Sequence, residues 1–203
     1  YMTRYFSLLA ATLTLMSCSY ISYSQVLPLA RTAILGAKDI DVSEKFIAAQ
    51  KYSFVKIELG RSAVAILTLS KIKNDVFEWV SSSGEKIYTY NGKIIKSENL
   101  SFNAHFYNFR SFSYLDNNAD DTHYDIYLSN PDAYVSQTAA VEFRASSTQS
   151  KQGGKNFTES VVTRGFKWNF KNTYSVDASG RVSHSSQFIH PKLPELKIYF
   201  YYK

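Results

Sequence analysis

Few residues in this 203-residue chain have the type and spacing to do chemistry. Its one cysteine, Cys18, rules out an intramolecular disulfide and a cysteine cage for zinc or an iron–sulfur cluster. The four histidines, His105, His123, His184 and His190, form no HExxH pattern. His184 and His190 stand six apart on a run that reads as a strand and so share one face, which an exposed polar surface explains better than a metal pair. Asp116, Asn118 and Asp120 copy the first three oxygen ligands of a calcium loop. Asp121 then occupies the place of the turn glycine and Tyr127 that of the closing glutamate, which favours a solvated acidic loop. Glu142, Glu159 and Asp177 lie near strand regions, but position along the chain does not set the ~5–9 Å carboxylate separation that glycoside cleavage needs. There is no GxSxG elbow, P-loop or GxGxxG. No catalytic residue, metal or cofactor is expected.

Cys18 itself has the most informative surroundings. Arg4 precedes an apolar run over 5–15, followed by Leu15-Met16-Ser17-Cys18. The layout is that of a secretory signal, too short to span a bilayer, and its end resembles the lipobox of bacterial lipoproteins. The expectation is a signal peptide over 1–17 and an acylated, palmitate-bearing Cys18 as lipid anchor. Each buried acyl CH₂ contributes about 0.8 kcal/mol, so several chains anchor a protein without a transmembrane helix. Ser19 follows the cysteine, where Asp would suggest retention at the inner membrane. The expected address is therefore the periplasmic face of the outer membrane of a Gram-negative cell.

Charge and aromatic content point to a binding surface. The net charge is +6, but it is uneven: 151–203 carry nine basic and three acidic residues, while 18–150 carry 13 and 14. A basic last quarter suits an acidic polymer or anionic headgroups, although a solvated strand face explains it as well. Tyr, Phe and Trp number 16, 14 and 2, and such rings serve sugar faces and protein interfaces alike. Lys167, Trp168, Lys171 and Arg181 are the candidate glycan or partner surface. Trp79 and Trp168 are read first as core residues, since buried strands need large rings. Nucleic acid suits the charge but not the expected address.

The elements that must position these groups are mostly strands. A tether and a short helix over 28–37 precede a second helix over 44–50, with Ser43 as its cap and Glu44 in its first turn. Period-two alternation begins at 52–59, and 62–70 is apolar on both faces, which predicts a strand buried on both sides. Asn91-Gly92 between 86–90 and 93–96 predicts a type I′ hairpin. Further strands are expected at 75–82, 124–129, 140–146, 157–164, 166–171, 173–176, 181–190 and 196–202. The reading is an all-β fold, mainly antiparallel (a curved sheet, sandwich or partly open barrel), with one or two short N-terminal helices. Three segments follow: 1–17 signal, 18–38 anchor and tether, and 39–203 a single β domain.

The order of several short motifs resembles one family. These are Asp39-Ile40-Asp41-Val42-Ser43, Lys51-Tyr52-Ser53, Trp79, Ser83-Gly84 and Asn91-Gly92-Lys93-Ile94-Ile95-Lys96-Ser97. Toward the C-terminus come Trp168-Asn169, Tyr174-Ser175-Val176-Asp177, Ser179-Gly180-Arg181-Val182, Ser186-Gln187, Pro191 and Leu196-Lys197-Ile198. Together with the lipobox they resemble the GfcB/YjbF family, the lipoproteins of group-four capsule and related exopolysaccharide operons. Residues 101–160 match poorly, and Gln50-Lys51 stands where the family usually has an apolar residue and Pro. The resemblance implies a non-catalytic outer-membrane lipoprotein accessory to assembly or export of a surface polysaccharide. Its expected partners are the membrane, proteins of the export machinery and the polysaccharide. The alternatives are an acidic-glycan binding module using the basic C-terminal face, and a polysaccharide-modifying enzyme.

Overall fold

The computed structural model describes residues 41–60, 63–107, 124–129, 132–135, 140–149, 155–163 and 168–203. Cys18, the signal segment, the helix expected over 28–37, the Asp116–Asp121 loop and Lys167 lie outside them. The described chain opens with helix α1 (Glu44–Ala49), where the Ser43 hydroxyl accepts from Phe46 N–H at 3.3 Å and Glu44 sits in the first turn. One turn and a half of helix is not stable alone, and tertiary contacts hold it. Phe46 packs edge-on against Phe54, and Lys203 Nζ donates to the Ile47 carbonyl at 2.7 Å.

Thirteen strands follow among the described residues. They are β1 (Phe54–Leu59), β2 (Ala63–Lys73), β3 (Val76–Val80), β4 (Lys86–Tyr90), β5 (Lys93–Glu98), β6 (Ala104–Tyr107) and β7 (Asp125–Leu128). Then come β8 (Ala133–Val135), β9 (Ala140–Gln149), β10 (Lys155–Val162), β11 (Phe170–Val176), β12 (Val182–Gln187) and β13 (Leu196–Tyr201). They form one antiparallel sheet in the order β8-β7-β6-β5-β4-β3-β2-β1-β13-β12-β11-β10-β9. The C-terminal strand is thus central: it pairs Ile57 with Ile198 on one side and Ser185 with Ile198 on the other. Two wings, β2–β8 and β12–β9, extend from the β1/β13 spine.

Curling of the sheet brings the wings together. β5 and β12 are six places apart in the strand order, yet Gly92, just before β5, lies against Val182. The sheet is therefore a curled half-barrel whose inner face holds the core, including Val55, Leu67, Trp79, Phe106, Tyr174 and Ile198. Trp79 is fully buried and its indole N–H donates to Thr89 Oγ1 at 2.8 Å, so this tryptophan is core with its polar atom satisfied. The Asn91-Gly92 turn has positive φ at both residues (47° and 76°), as a type I′ hairpin requires.

Three strand expectations need correction. The run at 62–70 is central in the sheet but not buried on both sides: Leu67 is buried, whereas Ala65, Thr68 and Ser70 are exposed. Its apolar outward positions, Val64 and Ile66, are only half covered and help line a cavity. The strands expected at 166–171 and 173–176 are one strand, β11, with Trp168 just before it. Finally, β12 ends at Gln187, because Phe188 N–H turns away to donate to Asn172 Oδ1 at 2.9 Å. His190 therefore lies on a connecting segment and shares no strand face with His184. Beyond these, β9 runs on to Gln149 and does not end at the expected 146.

Candidate functional site

Two arrangements of polar side chains stand out, one sealed inside the half-barrel and one open at its rim. The sealed one is built where the β4–β5 hairpin meets β10, β11 and β12. Lys93 is 2% exposed and Glu159 0%, and Lys93 Nζ is paired with Glu159 Oε1. Glu159 Oε2 accepts from Tyr174 OH at 2.7 Å and Asn172 Nδ2 at 2.8 Å, and Oε1 also receives Tyr124 OH at 3.3 Å. The Lys93 ammonium lies 4.1 Å from the centre of the Tyr124 ring and 5.6 Å from that of Phe106. Burial pushes the Lys93 amine below its ordinary value, with the Glu159 charge opposing that shift. Burial, and then the same carboxylate, raise the Tyr124 phenol. Beside this pair, Gln187 donates to Gly92 O at 2.7 Å and to Ser185 Oγ at 2.8 Å, and accepts from Ile94 N–H at 2.9 Å. Every oxygen of Glu159 is thus committed and shielded from water, which suits cross-bracing of the wings and not proton transfer to a substrate.

The rim gathers the ends of β10, β12 and β1 with the beginnings of β11 and β13. A connecting segment, 188–195, crosses it and is pinned by His190. The His190 ring stacks on Phe102 at 5.0 Å, its Nε2 lies 3.0 Å from Ser129 O, and Nδ1 accepts from Lys192 N–H at 3.1 Å. Only the neutral Nε2–H tautomer makes both bonds, because an N–H at Nδ1 would face the Lys192 amide. Burial lowers the His190 pKa below its ordinary 6.5, and burial does the same for His105 and His184. The folded chain then holds fewer protons than the unfolded one below pH 6.5. Stability is complete above that pH and falls as pH drops through the folded values. Urea midpoints measured at pH 7.5 and 5 should decrease toward acid, and His190→Gln should flatten that slope; an unchanged slope would remove His190 from the account.

Cavities flank the segment on either side, with Leu193 lining both. One, of about 600 Å³, has an apolar floor of Ile57, Leu67 and Leu196 with Glu85 at its edge. Hydrogen bonds from Ser81 and then Ser83 hold the Glu85 carboxyl below its usual value. The other, of about 520 Å³, is bordered by Trp168, Asn169, Lys171 and Phe188. Trp168 stacks on Phe170 with centroids 4.3 Å apart and is nearly buried, but it lines this cavity. The structure therefore brings Trp168 and Lys171 together. Arg181 is not with them: it follows the turn at the far end of β11, and its guanidinium lies 4.9 Å from the centre of the Tyr202 ring.

The remaining carboxylates are scattered. Asp177 accepts from the backbone of Ser179 and Arg181 and from the Ser179 hydroxyl, so it organises the β11–β12 turn. Glu142 lies on β9, in register with Ser160. Among the described residues no cluster of three or more His, Cys, Asp or Glu could hold a metal ion.

The comparisons with known proteins agree with this architecture. The family model described as YjbF, group 4 capsule polysaccharide lipoprotein GfcB, matches residues 29–200. The chain belongs to the YjbF family. Its fold is similar to that of the hypothetical lipoprotein YmcC from Escherichia coli (K12), with a TM-score of 0.64 at 20% identity, covering 91% of this chain and 98% of that one. No curated protein matches. Within this YjbF-family chain, no helix among the described residues is long and apolar enough to cross a membrane.

The sequence alone does not connect the residues of the sealed centre: Glu159 is one of three carboxylates near strand regions, and Lys93 is part of a family motif. The usable signal was local: a lysine directly after the Asn-Gly turn, in the YjbF-family run 91–97, on a strand whose neighbours are apolar.

Proposed function

We propose that this YjbF-family chain is a non-catalytic lipoprotein, anchored through acylated Cys18 at the periplasmic face of the outer membrane and accessory to assembly or export of a capsule polysaccharide. The observation that carries this reading is the family match across 29–200, and the lipobox at Leu15-Met16-Ser17-Cys18 supports it. The mechanism is positional: acyl chains hold a cross-braced half-barrel at the membrane, where its open rim meets the export proteins, the polymer or both. A non-catalytic role is in keeping with the sealed Glu159 and with Asp177, which is committed to its turn.

Deleting the chain should lower polysaccharide at the cell surface while total polymer synthesis continues. Restoring the wild-type chain should return it. Unchanged surface polymer in the deletion strain would refute the accessory role. The second reading, direct contact with an acidic glycan, has its support in the cavity at Trp168, Asn169 and Lys171.

A further inference from the structure

The rim cavity beside β11 offers hydrogen-bond donors and no described carboxylate. Trp168 has its backbone engaged by Thr163, but among the described residues nothing accepts from its indole N–H, in contrast to Trp79. Asn169 uses its carbonyl to accept from Thr163 N–H at 3.3 Å, which fixes its amide orientation and leaves the Nδ2 donors without an acceptor among the described residues. Lys171 is exposed and has no ion-pair partner among the described residues. It stands in register with Ser160, which also lines the cavity. The walls between these groups are aromatic and apolar, including Phe188 and Leu193. A cavity of about 520 Å³ lies within the range of small-ligand sites, which are mostly apolar with a few convergent polar groups.

From this donor set we infer that the cavity binds a carboxylate-bearing sugar unit of a polysaccharide, its anion at Lys171 and Asn169 and its ring against Trp168 and Phe188. The inference rests on the proposed role in polysaccharide export and names the ligand class for one site. A sugar supplies acceptors to donors that lack them, and an ammonium-to-carboxylate hydrogen bond is about twice as strong as a neutral one. The cavity across Leu193 has the opposite character, with Glu85 at its edge, and would repel the same group. The anionic unit thus selects one side of the segment that crosses the rim.

The test titrates the mature acylated chain, in neutral detergent, with tetragalacturonate and with its methyl ester, which keeps the rings and removes the charge. The acid should bind about tenfold or more tightly than the ester, and the preference should shrink as salt rises. Lys171→Glu should abolish the preference. Trp168→Phe, which keeps a ring and removes the N–H, should weaken both ligands. Equal affinity for acid and ester, no binding of the acid, or an unchanged preference in Lys171→Glu would overturn the site. Complementation of the deletion strain with Lys171→Glu separates this inference from the role beneath it. Loss of the acid preference together with impaired export supports the site as part of that role. Full export by Lys171→Glu would remove the site from export and leave the accessory role standing, whereas a deletion with no surface phenotype would remove that role.

Discussion

Lys93→Met should lower the stability of the fold by about 3–5 kcal/mol, the range found when one member of a buried ion pair is removed. The substitution leaves the Glu159 carboxylate fully buried, with only Tyr174, Asn172 and Tyr124 to satisfy a whole charge. Glu159→Leu should cost a similar amount, because it strands the Lys93 ammonium between Tyr124 and Phe106. The double variant Lys93→Met/Glu159→Leu should be far less damaged than the two single losses together, since a buried pair is often replaced by apolar side chains at little net cost. Urea unfolding of the Cys18→Ser background, with all four combinations in one cycle, measures the coupling directly. Additive losses would mean that the two residues act independently and that the wings are not joined there.

The second large effect is expected at the hairpin tip. Gly92 has a φ of 76°, and a Cβ placed on it would lie 2.5 Å from Val182 Cβ. Gly92→Ala therefore combines a left-handed backbone with an overpacked contact, for a loss of about 2–4 kcal/mol. Val182→Ala should relieve the contact but not the backbone strain. The pair Gly92→Ala/Val182→Ala should thus lose at least 1 kcal/mol less than the sum of the single losses, the size of coupling expected for residues in contact. A sum without coupling would place the tip away from β12. Gln187 faces the same tip, so the loss should extend to its bonds with Gly92 and Ile94.

These two sites also mark where sequence reading was strong and where it stopped. The Asn91-Gly92 hairpin was legible because its turn chemistry is local and its flanks alternate. Ser43 as cap and the clean alternation of 196–201 were legible for the same reason. Short β6 and β8 have too few residues to show a period, and they formed no expectation. Apolar residues on both faces of 62–70 do not require two covering layers. In a curled single sheet, the outward side of such a strand needs no second layer. The Lys93–Glu159 pair spans 66 residues of sequence and depends on the closing of the wings, which no local pattern reports. At the candidate surface, Trp168 and Lys171 line the same cavity. Arg181 is close to them in sequence and charge, but the direction of β11 carries it to the opposite end of the sheet.

Anchorage through Cys18 is open to a direct test by one labelling experiment. Cells expressing the wild-type chain or Cys18→Ser are grown with labelled palmitate, and their inner and outer membranes are separated by density. Label is expected on the wild-type chain in the outer-membrane fraction, and the Cys18→Ser chain should be unlabelled and fail to reach that fraction. An unlabelled wild-type chain, free in the periplasm and still supporting surface polysaccharide, would contradict it.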